Sequence, residues 1–210
     1  ELVLADHRAY QATVTSLDPA TVPLGPALSS DPELPVAVTL ACGLPKTKEK
    51  PELIVQKGTE LGARRIVFFE SQRSVSHWDP KKAAKKLARL QKIAAGAAEQ
   101  SHRTWIPEVA YLPNLAAVLE EAADCRLVAW EESAKQGEVA ALAARLGQLS
   151  AGDRLMAIFG PEGGLTEAEV AQMTAAGVTP VGLGPRILRT ETAPLYLLAA
   201  VSYQLELLRG

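Results

Sequence analysis

The stretch Phe159-Gly160-Pro161-Glu162-Gly163-Gly164-Leu165-Thr166 joins an apolar β-type run to a helix-type run and is one of the two most informative features of this chain. A second stretch of the same kind, Leu183-Gly184-Pro185-Arg186-Ile187-Leu188-Arg189-Thr190-Glu191-Thr192, follows near the C-terminus. Glycine lets a ligand approach the main chain closely. Two such turns at strand ends therefore predict a cradle for one small molecule, and the two arginines suggest an anionic partner.

Strands and helices alternate on both sides of these turns. Short apolar runs predict strands at 35–41, 65–69, 126–130, 154–159 and 178–183. Helical spacing and capping residues predict helices at 49–61, 80–101, 114–123, 138–149, 166–177 and 190–208. This order is typical of an α/β domain with a largely parallel sheet. Ligands of such sheets bind beyond the carboxyl ends of the strands, where both turns are expected.

The N-terminal part has a different composition. Residues 1–17 read as strands with a turn at Asp6-His7-Arg8, and residues 18–35 hold five prolines. Such a segment predicts a linker or an irregular domain edge, so we place a boundary near Pro32, between domains 1–32 and 33–210. The missing initial Met predicts that an upstream segment is absent from this chain.

The net charge of −2 hides a basic middle. Residues 46–103 contain 14 Lys and Arg against 6 Asp and Glu, although the whole chain has 22 against 24. A local excess of positive charge is the footprint expected of a site for a nucleic-acid backbone.

The side chains that form this basic region predict RNA contacts, and a solvated lysine face is the simpler alternative. The helix that begins at Pro80 carries Lys82, Lys85, Lys86 and Arg89 on one face. Further candidates are Lys46, Lys48, Lys50, Lys57, Gln100, His102 and Arg103.

Several other functions find little support in the sequence. No apolar stretch reaches the roughly 18 residues of a membrane span, which predicts a cytoplasmic protein. Cys42 and Cys125 are expected to be reduced and to pack as small hydrophobic residues. The three histidines are scattered, so we expect no metal. The Gly160–Gly164 turn has neither the spacing of a dinucleotide fingerprint nor that of a Walker A loop, and the sequence has no nucleophile elbow.

Both turns also have simpler interpretations. Taken alone, the Gly160–Gly164 stretch fits an ordinary strand-to-helix turn. The second glycine-rich stretch, Leu183–Thr192, fits a solvated basic turn. It is nevertheless unusual, because Arg186 and Arg189 flank an apolar pair and Glu191 follows. Ile187 and Leu188 suit an apolar part of a ligand, and an arginine suits a phosphate or a developing anion.

These residues resemble a known family. Four segments are similar to motifs of the bacterial 16S ribosomal RNA uridine-N3 methyltransferases, the RsmE family. They are Gln56–Gly62, Ala97–Arg103 followed by Pro107, Gly160–Thr166 and Leu183–Ala193. The resemblance covers about residues 35–210, with the motifs in the family's order. The family belongs to the SPOUT class, which uses S-adenosylmethionine (SAM).

The resemblance implies a fold, a cofactor and partners. The fold would be a SPOUT-type, largely parallel α/β sheet with a deep C-terminal trefoil knot, preceded by the remainder of a PUA-like β-barrel in residues 1–32. The partners would be 16S rRNA in the small ribosomal subunit and a second copy of the chain, with no membrane and no metal. The residues that would bind SAM are Trp130, Gly160, Pro161, Glu162, Gly163, Gly164, Leu183, Gly184, Ile187 and Leu188.

The expected reaction moves a methyl group to N3 of a uridine, which is a poor nucleophile until it loses its proton. We expect Arg189 to stabilise the resulting anion, with Arg186 as second choice, and Glu191 to orient the arginine or take the proton. Three alternatives stay open: a SPOUT enzyme with another target such as a tRNA ribose 2′-hydroxyl, a non-catalytic RNA-binding factor, and, least favoured, a nucleotide-dependent α/β enzyme.

Overall fold

The computed structural model describes residues 1–29, 31–132 and 140–208, with the side chains of residues 80–82 also outside the description. The strands are β1 (Leu2–Val3), β2 (Ala9–Ala12), β3 (Ser16–Leu17), β4 (Ala20–Thr21), β5 (Leu24–Ala27), β6 (Ala37–Gly43), β7 (Arg65–Phe69), β8 (Glu108–Leu112), β9 (Cys125–Ala129), β10 (Arg154–Phe159) and β11 (Thr179–Val181). The helices are α1 (Glu49–Glu60), α2 (Pro80–Gln100), α3 (Leu115–Glu120), α4 (Ala141–Gly147), α5 (Glu167–Ala175) and α6 (Thr192–Ser202), which continues as a π-helical turn at Tyr203–Leu207.

Six strands form the central sheet in the order β11-β9-β10-β6-β7-β8, and all five pairings are parallel. The predicted parallel α/β fold is therefore confirmed. The chain first builds β6, β7 and β8 outward in one direction. It then returns to β9, inserts β10 between β9 and β6, and adds β11 at the far edge. This change of direction brings the ends of β6, β9, β10 and β11 together at one edge of the sheet.

The sheet is buried on both faces. Alternate residues of the central strands enter two different apolar clusters: Leu40 and Phe68 belong to one, and Ala41 and Phe69 to the other. Strands that are covered on both sides read as continuous apolar runs, which is why their positions were visible in the sequence. The predicted strands 65–69 and 154–159 match β7 and β10 residue for residue.

Two predicted helix starts are confirmed by their caps. Asn114 Oδ1 accepts a hydrogen bond from the Ala117 N–H at 3.0 Å. Thr166 and Glu169 form a reciprocal capping box at the start of α5, in which each side chain accepts the other's backbone N–H.

The proline-rich segment is more ordered than its composition suggests. The sequence predicts irregular chain over 18–35, but β4 and β5 lie within it. β5 contains Gly25 and Pro26 and forms the edge of a three-stranded sheet in the order β1-β2-β5. An edge strand tolerates proline, because one side of it needs no hydrogen bonds to a neighbour.

Two further predictions were wrong. The sequence predicts no strand between α2 and α3, but β8 lies there and pairs with β7. The final helix was expected to run to residue 208 and leaves α-geometry after Ser202. Of the predicted helix at 138–149, residues 138 and 139 lie outside the described residues, and α4 begins at Ala141.

Candidate functional site

A cleft of about 800 Å³ lies at the carboxyl ends of β9, β10 and β11. Both glycine-rich turns form its walls, as the sequence predicted. All ten residues expected to bind the cofactor line it, together with Lys50, Arg73, Ala129, Glu131, Glu132, Phe159, Leu165, Glu167, Pro185, Arg186, Arg189, Thr190 and Ala193.

The first turn is held tightly against the sheet. Its chain reverses through Gly164, whose φ of +70° favours glycine, and the Gly164 N–H donates to Pro161 O at 2.8 Å. A Cβ atom on Gly43, at the end of β6, would lie 2.5 Å from Pro161 Cδ. Glycine is therefore needed at both places for β6 and this turn to meet.

The second turn leaves its basic side chains open. Arg186, Ile187 and Arg189 are exposed, and Ile187 shows 78% of its surface although it is apolar. Among the residues that the structure describes, neither arginine side chain has an ion-pair or hydrogen-bond partner. Two charged groups and an apolar side chain are thus available to a ligand in the cleft.

Lys50 lies between the two turns. Its Nζ donates to Glu162 Oε1 at 2.8 Å and stands 3.2 Å from Glu191 Oε2. The second contact is an ion pair whose geometry does not make a hydrogen bond. Glu191 Oε2 is buried and has no hydrogen-bond partner in the described structure. The Lys46 N–H also donates to both Glu162 oxygens, at 3.2 and 3.0 Å.

These contacts shift the pKa values of Lys50 and Glu162. The hydrogen bond to Glu162 raises the pKa of Lys50 against the effect of its burial, and Glu191 adds to the increase. Burial on its own would raise the pKa of Glu162, but the Lys50 ammonium and backbone N–H groups lower it overall. Glu191 was expected to orient a cleft arginine. Among the described residues its ionic partner is Lys50 and not a cleft arginine, so its role as orienting group or proton acceptor stays a prediction.

Arg73 is a cleft residue that the sequence reasoning missed. It follows β7, and its Nη1 donates to Gly163 O at 3.1 Å, so its guanidinium reaches the first turn from a different part of the chain. The available signal was its position, since it is a basic residue just past the carboxyl end of a predicted strand.

The predicted RNA-contacting residues do not form one uniform group. Lys46, Lys48, Lys85, Lys86, Arg89, Gln100 and His102 are exposed. Arg89 is paired with Glu52, Lys57 with Glu60, and His102 Nδ1 lies 2.9 Å from Glu1 Oε2. The side chain of Lys82 lies outside the described part of the molecule.

Two members of that group need correction. Arg103 is 5% exposed and donates to Thr59 O and Ala63 O, while its other side pairs with Glu33. A buried guanidinium with these partners holds the chain together and does not contact RNA. Lys50 is likewise engaged by Glu162 and Glu191 inside the cleft.

The cysteines lie away from the cleft lining. Cys42 is fully buried and Cys125 half-buried, and both thiols are free. Burial raises the pKa of each thiol, which disfavours the thiolate. In the described ranges no three His, Cys, Asp or Glu side chains gather as a metal site. No helix there is long and apolar enough to cross a membrane.

The comparisons with known proteins agree with this geometry. The family model described as an RNA methyltransferase domain matches residues 32–202, which defines the class of protein. The chain is 54% identical over 181 residues to the ribosomal RNA small subunit methyltransferase E of Bacillus subtilis, covering 85% of this chain and 70% of that protein. It is 36% identical over 197 residues to the protein of the same name from Synechocystis, covering 94% and 63%.

A solved structure shows the same relation. The chain is similar to the ribosomal RNA small subunit methyltransferase E of Neisseria gonorrhoeae bound to S-adenosyl methionine, with a TM-score of 0.76, 32% identity and coverage of 93% of this chain and 78% of that one. The chain therefore belongs to the ribosomal RNA small subunit methyltransferase E family. It spans about two thirds of the length of the curated relatives named above.

Proposed function

We propose that this protein is a SAM-dependent methyltransferase that methylates N3 of a uridine in the 16S rRNA of the small ribosomal subunit. The observation that carries the proposal is the cleft between two glycine-rich turns, in a chain 54% identical to a small subunit rRNA methyltransferase. A relative with 32% identity was solved with SAM bound.

The residues present fit this cofactor. The cleft has a volume within the usual range of about 300–1,000 Å³ for small-molecule sites. Leu183, Ile187, Leu188 and Trp130 offer an apolar wall, and the backbone of Gly160–Gly164 offers polar groups at close range. When bound, SAM supplies an activated methyl group on its sulfonium.

The charged residues of the second turn suit the other half of the reaction. A uridine N3 becomes nucleophilic as its proton leaves, and the negative charge spreads to O2 and O4. Arg189 lines the cleft with no partner in the described structure, so it is free to stabilise that charge, with Arg186 second in line. Glu191, whose side chain is 13% exposed beside Lys50, is the candidate proton acceptor, directly or through water.

The remaining surface suits a large, anionic partner. The exposed side chains of Lys46, Lys48, Lys85, Lys86 and Arg89 would hold the RNA backbone, and the target base would be turned out of its stack. Residues 1–32 would be the remainder of a PUA-like RNA-binding barrel, and residues 33–210 a SPOUT domain. Insertion of β10 between β9 and β6 is compatible with a trefoil knot. The homodimer and the cytoplasmic location belong to the same proposal.

Methyl transfer to isolated small subunits tests the function. Subunits that lack the modification are incubated with the protein and labelled SAM, and the product nucleotide is located. A label at uridine N3 of 16S rRNA is expected. A label on a ribose 2′-hydroxyl or on tRNA would replace the proposed target, and absence of SAM binding by calorimetry would favour a non-catalytic RNA-binding factor.

A further inference from the structure

The Lys50 ammonium contacts one glutamate on each of the two glycine-rich turns. Lys50 lies near the N-terminus of α1, the helix that follows β6. Its ammonium contacts Glu162 in the first glycine-rich turn and Glu191 in the second. Those two glutamates are 29 residues apart in sequence. Glu162 lines the cleft, and Glu191 belongs to the second turn, where the neighbouring Thr190 lines it. We name Lys50, Glu162 and Glu191 the charge clamp.

The partial burial of the charge clamp strengthens the interactions between its charges, because water screens them less. The side chains are 24% exposed for Lys50, 30% for Glu162 and 13% for Glu191. Removing the ammonium would leave two carboxylates facing each other in a partly desolvated place. An exposed lysine would be worth much less, because water screens such pairs.

The clamp also has an independent anchor. The Lys46 N–H donates to both oxygens of Glu162, so this carboxylate is fixed to the chain that precedes α1. Close packing of Gly43 on Pro161 holds the same turn from below. The first turn is therefore held by the end of β6 and the start of α1, whereas Lys50 is the described side chain that extends this support to Glu191 on the second.

We propose that Lys50 is a positioning residue that holds the two turns at the spacing the cofactor requires, rather than an RNA contact. This inference rests on the proposed function, because the ligand whose affinity it controls is SAM. Lys50 acts through Glu162 and Glu191 and needs no contact with the reacting atoms. A preorganised cleft binds its ligand more tightly, since less ordering is left for the binding step.

The first experiment compares SAM affinity by calorimetry in the wild type, Lys50→Met and Lys50→Arg. Methionine keeps most of the length and apolar stem but removes the charge, and we expect SAM to bind about tenfold more weakly. Arginine keeps the charge and should restore affinity to within about threefold. Lys92→Met removes the same charge from the exposed surface of α2, outside the cleft lining, and should leave SAM affinity unchanged.

A double-mutant cycle separates the clamp from a general loss of stability. If the clamp is real, adding Glu162→Gln to Lys50→Met should cost less than the two single effects combined, because the repelling carboxylate is gone. Strict additivity would contradict the clamp. Thermal unfolding of each variant identifies any change in affinity that merely follows unfolding.

RNA binding distinguishes the two roles of Lys50. A clamp residue should leave the salt dependence of RNA affinity unchanged, whereas loss of a phosphate contact lowers the slope by about one. SAM affinity equal to that of the wild type in Lys50→Met, with a reduced salt slope, would overturn the proposal. Failure of the wild type itself to bind SAM would overturn the proposed function instead, so the two failures are distinguishable.

Discussion

Two regions of this protein use arginine in opposite ways. At the junction between the N-terminal strands and the sheet, Arg103 is buried and donates to two carbonyl groups while it pairs with Glu33. In the cleft, Arg186 and Arg189 are exposed, and their side chains have no partner among the described residues. The sequence predicts a functional contact at all three positions, because spacing does not show how a side chain is satisfied. Partnered charge stabilises the fold, and unpartnered charge at the cleft is available to a ligand.

The strongest test of the cleft side of this comparison is Arg189→Ala. We expect the methylation rate to fall by about 100-fold or more, as when one donor to a developing anion is removed. SAM affinity, measured by calorimetry, should change by less than about threefold. Equal losses in rate and in SAM affinity would show that Arg189 holds the cofactor instead.

The matching test of the junction is Arg103→Met. The free energy of unfolding should fall by about 3 kcal/mol, because Glu33 stays behind as a largely buried charge without its partner. Denaturant unfolding measures the change. Arg89→Met breaks an exposed pair with Glu52 and serves as the control, with an expected loss below about 1 kcal/mol. Similar losses in both variants would contradict the distinction drawn from burial.

Gly43→Ala tests how closely β6 and the first turn must approach. The new methyl group would meet the backbone and ring of Pro161, so we expect a loss of about 1–3 kcal/mol in unfolding free energy together with weaker SAM binding. Gly96→Ala is the control, since nothing lies within 4 Å of its Cβ position in α2, and it should raise stability by about 0.5–1 kcal/mol. An unaffected cleft in Gly43→Ala would mean that the turn relaxes easily.

Each basic side chain on the exposed face of α2 is expected to make a small contribution to RNA affinity. Changing Lys85, Lys86 and Arg89 together to Gln should weaken RNA binding and lower the slope of log affinity against log salt by roughly two to three. Titration of RNA at several salt concentrations measures the slope. An unchanged slope would place the RNA on another face.

The smallest effect concerns pH. Glu162 has a lowered pKa in the folded protein. Its ionised form therefore stabilises the charge clamp above its ordinary pKa, and this stabilisation is lost as the pH falls through the lowered value. Lys50 has a raised pKa, so its stabilisation of the charge clamp is complete below its ordinary pKa and is lost as the pH rises through the raised value. SAM affinity should therefore stay level from about pH 6 to pH 9 and weaken below about pH 4. A steep change near neutral pH would point to another titrating group.

Much of the frame could be read from the sequence. The strands at 65–69 and 154–159 are runs of apolar residues buried on both faces, and the caps at Asn114 and Thr166 use local hydrogen bonds. β8 was missed because Val109 is the single fully buried residue of Glu108–Leu112 at the sheet edge, so the segment lacks the burial on both faces that marks β7. β5 was missed because it contains glycine and proline, and β4 was missed because it has two residues and follows Pro19.

The alternation of elements, both glycine-rich turns and the family resemblance follow from the sequence alone, because they depend on neighbours along the chain. Which charges have partners depends on the fold. It buried Arg103 against Glu33, brought Arg73 to the first turn and set Lys50 between Glu162 and Glu191. Those contacts join residues from 70 to 141 positions apart, so no local pattern encodes them. They arise from the order in which the sheet is assembled, with β10 inserted between β6 and β9.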